Sequence, residues 1–322
     1  SSDGRTYTFH LRQDARWSDG SPVIALDFVR SLQRVAAPET AAVYGDLLAP
    51  LLNFGEVRAG DTPTTSLGIT ARSDTELSMT LSSPASHWLS IMALPVAYPT
   101  KTGNAGEPLT NGPYVLEERQ AAGFVRLSRN AHYWAASTVA IDAVEYFPIS
   151  NPIAEFNMYR AGELDMTHVV PTESIAALRK DRPDELRIAP SLALYYLALD
   201  VGEAPFDDAA LRQALSMAVD RQTLVGLVGR GEQAAFGIVP PGVDGHANTA
   251  YEWGTLAETE RRDLARELYA QAGYGPDNPL SLQLIYDTGD IHERVALAIS
   301  AMWSDTLGVE ASLRKMEWQM FL

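Results

Sequence analysis

The 322-residue chain contains no cysteine. Disulfides, thiolate nucleophiles and Cys-ligated zinc are therefore excluded. Lysine is scarce, occurring at Lys101, Lys180 and Lys315 alone. Arginine carries the rest of the positive charge, and with the abundant alanine this reads as genome composition. Positive charge is short overall: 25 Lys and Arg against 41 Asp and Glu give a net −16. Nucleic-acid backbones and anionic membranes need a positive face, so neither is expected as the main partner. No apolar stretch approaches the ~20 residues of a membrane span, so the chain is not expected to be membrane-embedded. Hydrophobic residues at 46% and charged residues at 20% are ordinary globular composition, enough for one to three domains.

Catalytic fingerprints are missing as well. The sequence holds no G-x-S-x-G, H-E-x-x-H, Walker or dinucleotide pattern. Gly229-Arg230-Gly231 begins like a glycine-rich loop, but Glu232-Gln233 follow where a third glycine would close the turn. The six histidines are scattered, and His292-Glu293 has no second His at a ligand offset, so no metal site is expected. Glu163-x-Asp165 would share one face if extended, a pair about 7 Å apart. A solvated or turn-bonding role is the preferred reading of that pair. No cofactor and no enzymatic reaction are expected.

What is present is a mixed pattern of strands and helices. Alternation predicts strands over 6–12, 67–70, 76–81, 114–118, 124–129 and 144–149. Helical spacing predicts helices over 22–35, 40–52, 152–161, 172–179 and 207–219. The apolar run 192–199 reads as a buried strand, and 226–245 as a loop. The C-terminal third reads as helix 255–273, strand 280–286, helix 290–307, strand 309–313 and the start of a last helix. Strand, helix, strand predicts a βαβ unit. Aromatics cluster around the loops at Tyr44, Tyr133-Trp134, Tyr195-Tyr196, Phe236, Trp303 and Trp318. Such side chains suit a binding cleft, although each also suits a core.

Taken together, the motifs resemble one family. Tyr7-Thr8-Phe9-His10-Leu11-Arg12, Trp17-Ser18-Asp19-Gly20-Ser21-Pro22 and Asp27-Phe28-Val29 are similar to its opening signature. The resemblance continues through Thr110-Asn111-Gly112-Pro113-Tyr114, Arg129-Asn130-Ala131-His132-Tyr133-Trp134 and Tyr159-Arg160-Ala161-Gly162-Glu163-Leu164-Asp165. It closes with Pro205-Phe206-Asp207-Asp208, Ala218-Val219-Asp220-Arg221 and Ala272-Gly273-Tyr274. The family is the periplasmic oligopeptide- and dipeptide-binding proteins, the large (cluster C, family 5) solute-binding subunits of peptide ABC importers.

The resemblance implies an α/β, periplasmic binding protein-like fold (type II, cluster C) with two lobes and an extra small domain, partly covered here. It implies that residues 1–103 form most of the extra domain, 104–192 the middle of the first lobe and 193–322 the first part of the second. The implied partners are an oligopeptide ligand, captured by hinge closure, and an inner-membrane ABC permease. The implied location is the periplasm, or a lipid anchor outside the inner membrane. A murein peptide, nickel chelate, opine or sugar as ligand, or a chemosensory role, are the alternatives. Tyr44, Tyr196 and Trp318 match pocket aromatics of the family, with Tyr195 adjacent. His292 matches a histidine near the ligand's C-terminal end, and Arg230 lies near a lysine with that task, in a loop one residue shorter. Ser191 and Val169 stand where close relatives have Tyr and Asn. The opening Ser1-Ser2-Asp3-Gly4 and the apolar finish Met320-Phe321-Leu322 predict a piece of a longer protein. By the resemblance, the remainder carries an aspartate that pairs with the peptide α-amine. This stretch alone is then expected to bind peptides poorly.

Overall fold

A computed structural model describes residues 1–103, 106–121, 123–189, 191–247, 249–317 and 320. Contacts divide the chain into two compact units, Ser1–Ile149 and Ser150–Leu322.

In the first unit, β1 (Thr6–His10), β2 (Ile69–Ser73) and β3 (Glu76–Thr80) form an antiparallel sheet in the order β1-β3-β2. The alternation of Tyr7 and Phe9 with polar neighbours sets the register, pairing Phe9 with Leu77 and Tyr7 with Met79. Leu77 and Met79 of the central strand are buried. Helix α1 (Ala25–Ala36) lies against β2 and β3 through a stripe of Val29, Leu32, Val35 and Ala36. Those positions repeat at three and four residues, the spacing that gathers side chains on one helix face. Leu48, Leu51, Leu81 and Trp88 complete this core, the last in α3 (Trp88–Ile91) after α2 (Phe54–Ala59). A two-residue pair, β4 (Lys101–Thr102) with β5 (Pro108–Leu109), precedes a second antiparallel sheet. That sheet has the order β6 (Tyr114–Arg119), β7 (Val125–Arg129), β8 (Ala143–Tyr146).

The expected helix over 40–52 does not form. Pro38–Thr40 makes one 3₁₀ turn, Ala41 (φ 43°) and Tyr44 (φ 62°) take left-handed conformations, and Gly45–Leu48 makes a second turn. Two left-handed residues in four interrupt the hydrogen-bond ladder, and Pro50 would block its extension.

The quoted motifs of this unit are its joints. The Trp17 indole N–H donates to the Asp27 carboxylate at 2.9 Å, both side chains buried, and the Ile24 N–H donates to the same oxygen at 3.0 Å. Asp27 thus ties the preceding loop to the start of α1. Gly20, between them, has φ 83°, and a Cβ there would meet the His132 ring at 3.3 Å. The buried Asn130 amide donates to the Gly112 carbonyl at 2.8 Å, and its oxygen accepts from the His132 N–H. The Arg12 guanidinium lies 3.7 Å over the Trp134 ring, a cation–π contact.

The second unit begins with α4 (Pro152–Ala161), capped by the Asn151 side chain, and α5 (Thr172–Asp181). Next come α6 (Ala209–Met217) and α7 (Arg221–Val228), whose first-turn N–H groups donate to Asp208 and Asp220 respectively. The chain continues with α8 (Glu258–Gln271), β9 (Ser281–Asp287), α9 (Asp290–Leu307) and β10 (Glu310–Met316). Strands β9 and β10 pair in parallel across α9, so the expected βαβ unit is present. Leu211, Leu215, Tyr269, Leu284, Ile299 and Trp303 share its core. The Trp303 indole N–H donates to the Leu215 carbonyl at 2.8 Å, and buried Arg261 donates to the Met217 carbonyl.

Two expectations change here, and a third is left mostly untouched. The loop expected from 226 starts later, because Asp220 caps an additional helix, α7, that runs to Val228. The expected start of a last helix falls mostly outside the described residues. The run 192–199 is neither strand nor buried: Leu192, Tyr195 and Tyr196 are exposed. A strand exists only where another backbone pairs with it, and the pairings among the described residues leave this run out. Apolar composition alone does not supply that partner.

Candidate ligand-binding site

Of the six expected site residues, four are described in the second unit. They lie on irregular chain or at element ends, where side chains are not committed to the core. Tyr195 leaves the unpaired 192–199 run and meets His292 in the first turn of α9. Their rings stack with centroids 5.4 Å apart and 16° between planes, and the phenol oxygen lies 3.1 Å from His292 Nδ1. The other ring nitrogen, Nε2, faces the Asp287 carboxylate at 3.5 Å. Asp287 ends β9, and its carboxylate accepts the Gly289 N–H at 2.9 Å. The turn from β9 into α9 therefore sets both groups. Asp287 is the most enclosed of the three, with 18% of its side chain exposed against 33% for His292. Burial, and then the Asp287 charge, push the Tyr195 phenol above its ordinary pKa, so it keeps its proton at neutral pH.

Arg230 is held apart from this trio. Its Nε donates to the Thr172 hydroxyl at 3.2 Å, at the start of α5, and its backbone N–H donates to Glu232. Tyr196 is 71% exposed, and among the described residues no ring contact or side-chain hydrogen bond ties it to Tyr195, His292 or Arg230. Tyr44 belongs to the first unit, where it is exposed with φ 62° at the head of the Gly45–Leu48 turn. Trp318 lies outside the described residues.

Asp287 and Thr172 were not among the residues singled out by sequence. The signal for Asp287 is weak: an acid five residues before a histidine acquires meaning only once a strand end and a helix start fall between them. Glu163 and Asp165 are exposed bends beyond α4, not positions in a strand. Among the described residues no three His, Asp or Glu side chains gather as a metal site. The geometry offers aromatic faces, one neutral phenol, one imidazole, one carboxylate and one guanidinium. Groups of these types can stack on and hydrogen-bond a polar organic ligand.

The chain resembles known proteins along its whole length. The family model described as bacterial extracellular solute-binding proteins, family 5, middle region, matches residues 1–322. The chain is 36% identical to the periplasmic oligopeptide-binding protein OppA of Salmonella typhimurium over 99% of its own length. It is 35% identical, over 99% of its length, to the probable deoxycholate-binding periplasmic protein YgiS of Escherichia coli. It spans 62% of the length of each of these relatives. The solved murein tripeptide binding protein MppA of Escherichia coli superposes with a TM-score of 0.90 at 32% identity, over all of this chain and 65% of that one. The fold is accordingly the type II periplasmic-binding fold, covered in part. No helix among the described residues is long and apolar enough to cross a membrane. Matched from end to end by one model, and with the quoted motifs forming its joints, the chain belongs to the family 5 bacterial extracellular solute-binding proteins.

Proposed function

We propose that this protein is the ligand-capturing component of a bacterial peptide importer, working in the periplasm or from a lipid anchor outside the inner membrane. It binds an oligopeptide, closes about a hinge and delivers the ligand to an ABC permease, performing no chemistry itself. In this reading residues 1–103 belong to the extra domain, 104–192 to the first lobe and 193–322 to the second. Tyr44, Tyr195, Tyr196, Arg230, His292 and Trp318 contact the ligand.

The observation that carries the reading is the Tyr195–His292–Asp287 arrangement with exposed Tyr196 beside it in the chain. It gives broad aromatic surface and main-chain-compatible hydrogen bonding, which accept many side-chain sequences. The salmonella relative's name says that it binds oligopeptides. A second reading keeps the fold and changes the ligand, since a relative of nearly equal identity is named for deoxycholate.

Native mass spectrometry of the intact gene product as purified separates the two. A ladder of small peptide masses is the expected result. A single defined non-peptide mass would sink peptide capture and leave a dedicated solute binder.

A further inference from the structure

We infer that Asp287 sets the charge preference of this site, turning the Tyr195–His292 corner toward the uncharged or cationic, N–H-bearing end of a ligand and away from a free carboxylate. The inference rests on the peptide-binding reading and names what the corner selects.

The two ring nitrogens of His292 face different groups: Nδ1 lies 3.1 Å from the Tyr195 phenol oxygen and Nε2 lies 3.5 Å from the Asp287 carboxylate. A carboxylate facing Nε2 favours the tautomer with its proton on that nitrogen. Nδ1 is then an acceptor, and the Tyr195 O–H donates to it. With its proton committed, the phenol presents only oxygen lone pairs to an incoming molecule. The net charge of the trio in this state is that of Asp287, −1. A ligand N–H, from an amide or an ammonium, therefore finds an acceptor and a favourable field. A ligand carboxylate finds neither: it meets lone pairs, with a negative charge one imidazole away.

The neighbouring charges leave this intact. Glu293, next to His292, is bonded to Lys315 at 3.0 Å. Asp287 makes one further bond, to the Gly289 N–H, which shares its negative charge without cancelling it. Arg230, the positive group expected near a carboxylate, is anchored on Thr172. Asp287 is a positioning residue in this scheme: it fixes the imidazole, and Tyr195 meets the ligand.

The test is a titration of the intact gene product with one tripeptide as its free acid and as its C-terminal amide. Wild type and Asp287→Asn are compared by calorimetry. Asn keeps the oxygen that the Gly289 N–H needs, so the turn is retained, and circular dichroism checks the fold. The wild type is expected to bind the amide about tenfold more tightly than the acid, the scale of a unit charge acting across a ring in a half-buried site. Asp287→Asn is expected to remove most of that ratio. Should Asp287→Asn fail to fold, Tyr195→Phe keeps the ring and its stacking while deleting the acceptor. It is then expected to weaken the amide about fivefold more than the acid. Peptide binding with equal acid-to-amide ratios in wild type and variant overturns the inference and leaves peptide capture standing. Absence of any peptide binding to the wild type overturns both.

Discussion

The Trp17–Asp27 joint offers a sharp test of how motif residues act, because a family signature and a buried hydrogen bond coincide there. Asp27→Ala removes the acceptor for two donors, the Trp17 indole at 2.9 Å and the Ile24 N–H at 3.0 Å. Trp17 is 1% exposed, so water does not replace the lost partner. An unsatisfied buried donor costs about 1–3 kcal/mol, and losing the bond at the helix start costs about 1 kcal/mol more. The sum is about 2–4 kcal/mol. Trp17→Phe removes the other half of the pair while keeping an aromatic ring in the core. If the indole bond carries the effect, the two substitutions are coupled, and the double variant loses about 1–2 kcal/mol less than the sum of the singles.

The assay must read the first unit alone, since both units contain tryptophans. Native-state hydrogen exchange followed by mass spectrometry does so, through peptides covering β1 and α1 (residues 6–36). Asp27→Ala is expected to raise exchange there about thirtyfold to several hundredfold, with peptides from β9 and α9 unchanged. A loss under about 0.5 kcal/mol, or strict additivity in the double variant, would refute the assignment of Asp27 as the pin of α1.

Two further predictions concern the second unit. The Arg221 side chain donates to the carbonyls of Ser216, Val219 and Ala235 and to the Ser216 hydroxyl, beside the rings of Phe236 and Trp253. Burial, and then Arg261, lower its pKa to about 10, still charged at neutral pH. Arg221→Met removes the guanidinium donor from each of those oxygens and is expected to cost about 2–4 kcal/mol. Limited digestion with proteinase K should then nick 229–251 first; an unchanged digestion rate counts against the clamp. The Asp220 carboxyl is pushed up by partial burial, but bonds from the Thr223 hydroxyl and the Thr223 and Gln222 N–H groups outweigh this and hold it below its ordinary value. A carboxyl lowered on folding adds stability that is complete above its unfolded pKa and is lost as pH falls through its folded one. Asp220→Asn should flatten the fall of thermal stability below about pH 4, as read from melts at stepped pH, and an unchanged slope would remove Asp220 from that effect.

The parts of the fold that were legible in sequence are those whose partners lie nearby or whose pattern is strongly periodic. Helix α9 matches its expected span, 290–307, because apolar spacing and Gly308 mark its course and end. The βαβ unit followed from two alternating runs flanking that helix. Failures came where a non-local fact decides. The run 192–199 has strand composition and no strand partner among the described residues, and composition does not reveal partners. At 40–52 the backbone reverses hand at Ala41 and Tyr44, residue types that give no warning of it. Of the site, Tyr195 and His292 were legible through resemblance and are brought together, whereas Asp287 becomes visible only when the end of β9 is set against the start of α9.

This separation explains how one architecture serves ligands of different chemistry. The motif residues are committed to joints: Trp17 and Asp27 at α1, Asn130 between loops, Asp220 and Arg221 at α7. Each is buried or hydrogen-bonded to backbone, so changing it perturbs the fold before it perturbs a ligand. Tyr195, Tyr196, Arg230 and Asp287 lie on unpaired chain, loop or strand end, where a substitution alters charge and shape at little cost to packing. Relatives named for an oligopeptide and for deoxycholate share 36% and 35% identity with this chain. Overall identity therefore does not by itself decide the ligand. In the proposed reading the charge beside His292 is the better guide, because there it acts on the bound molecule while the motif residues hold the frame.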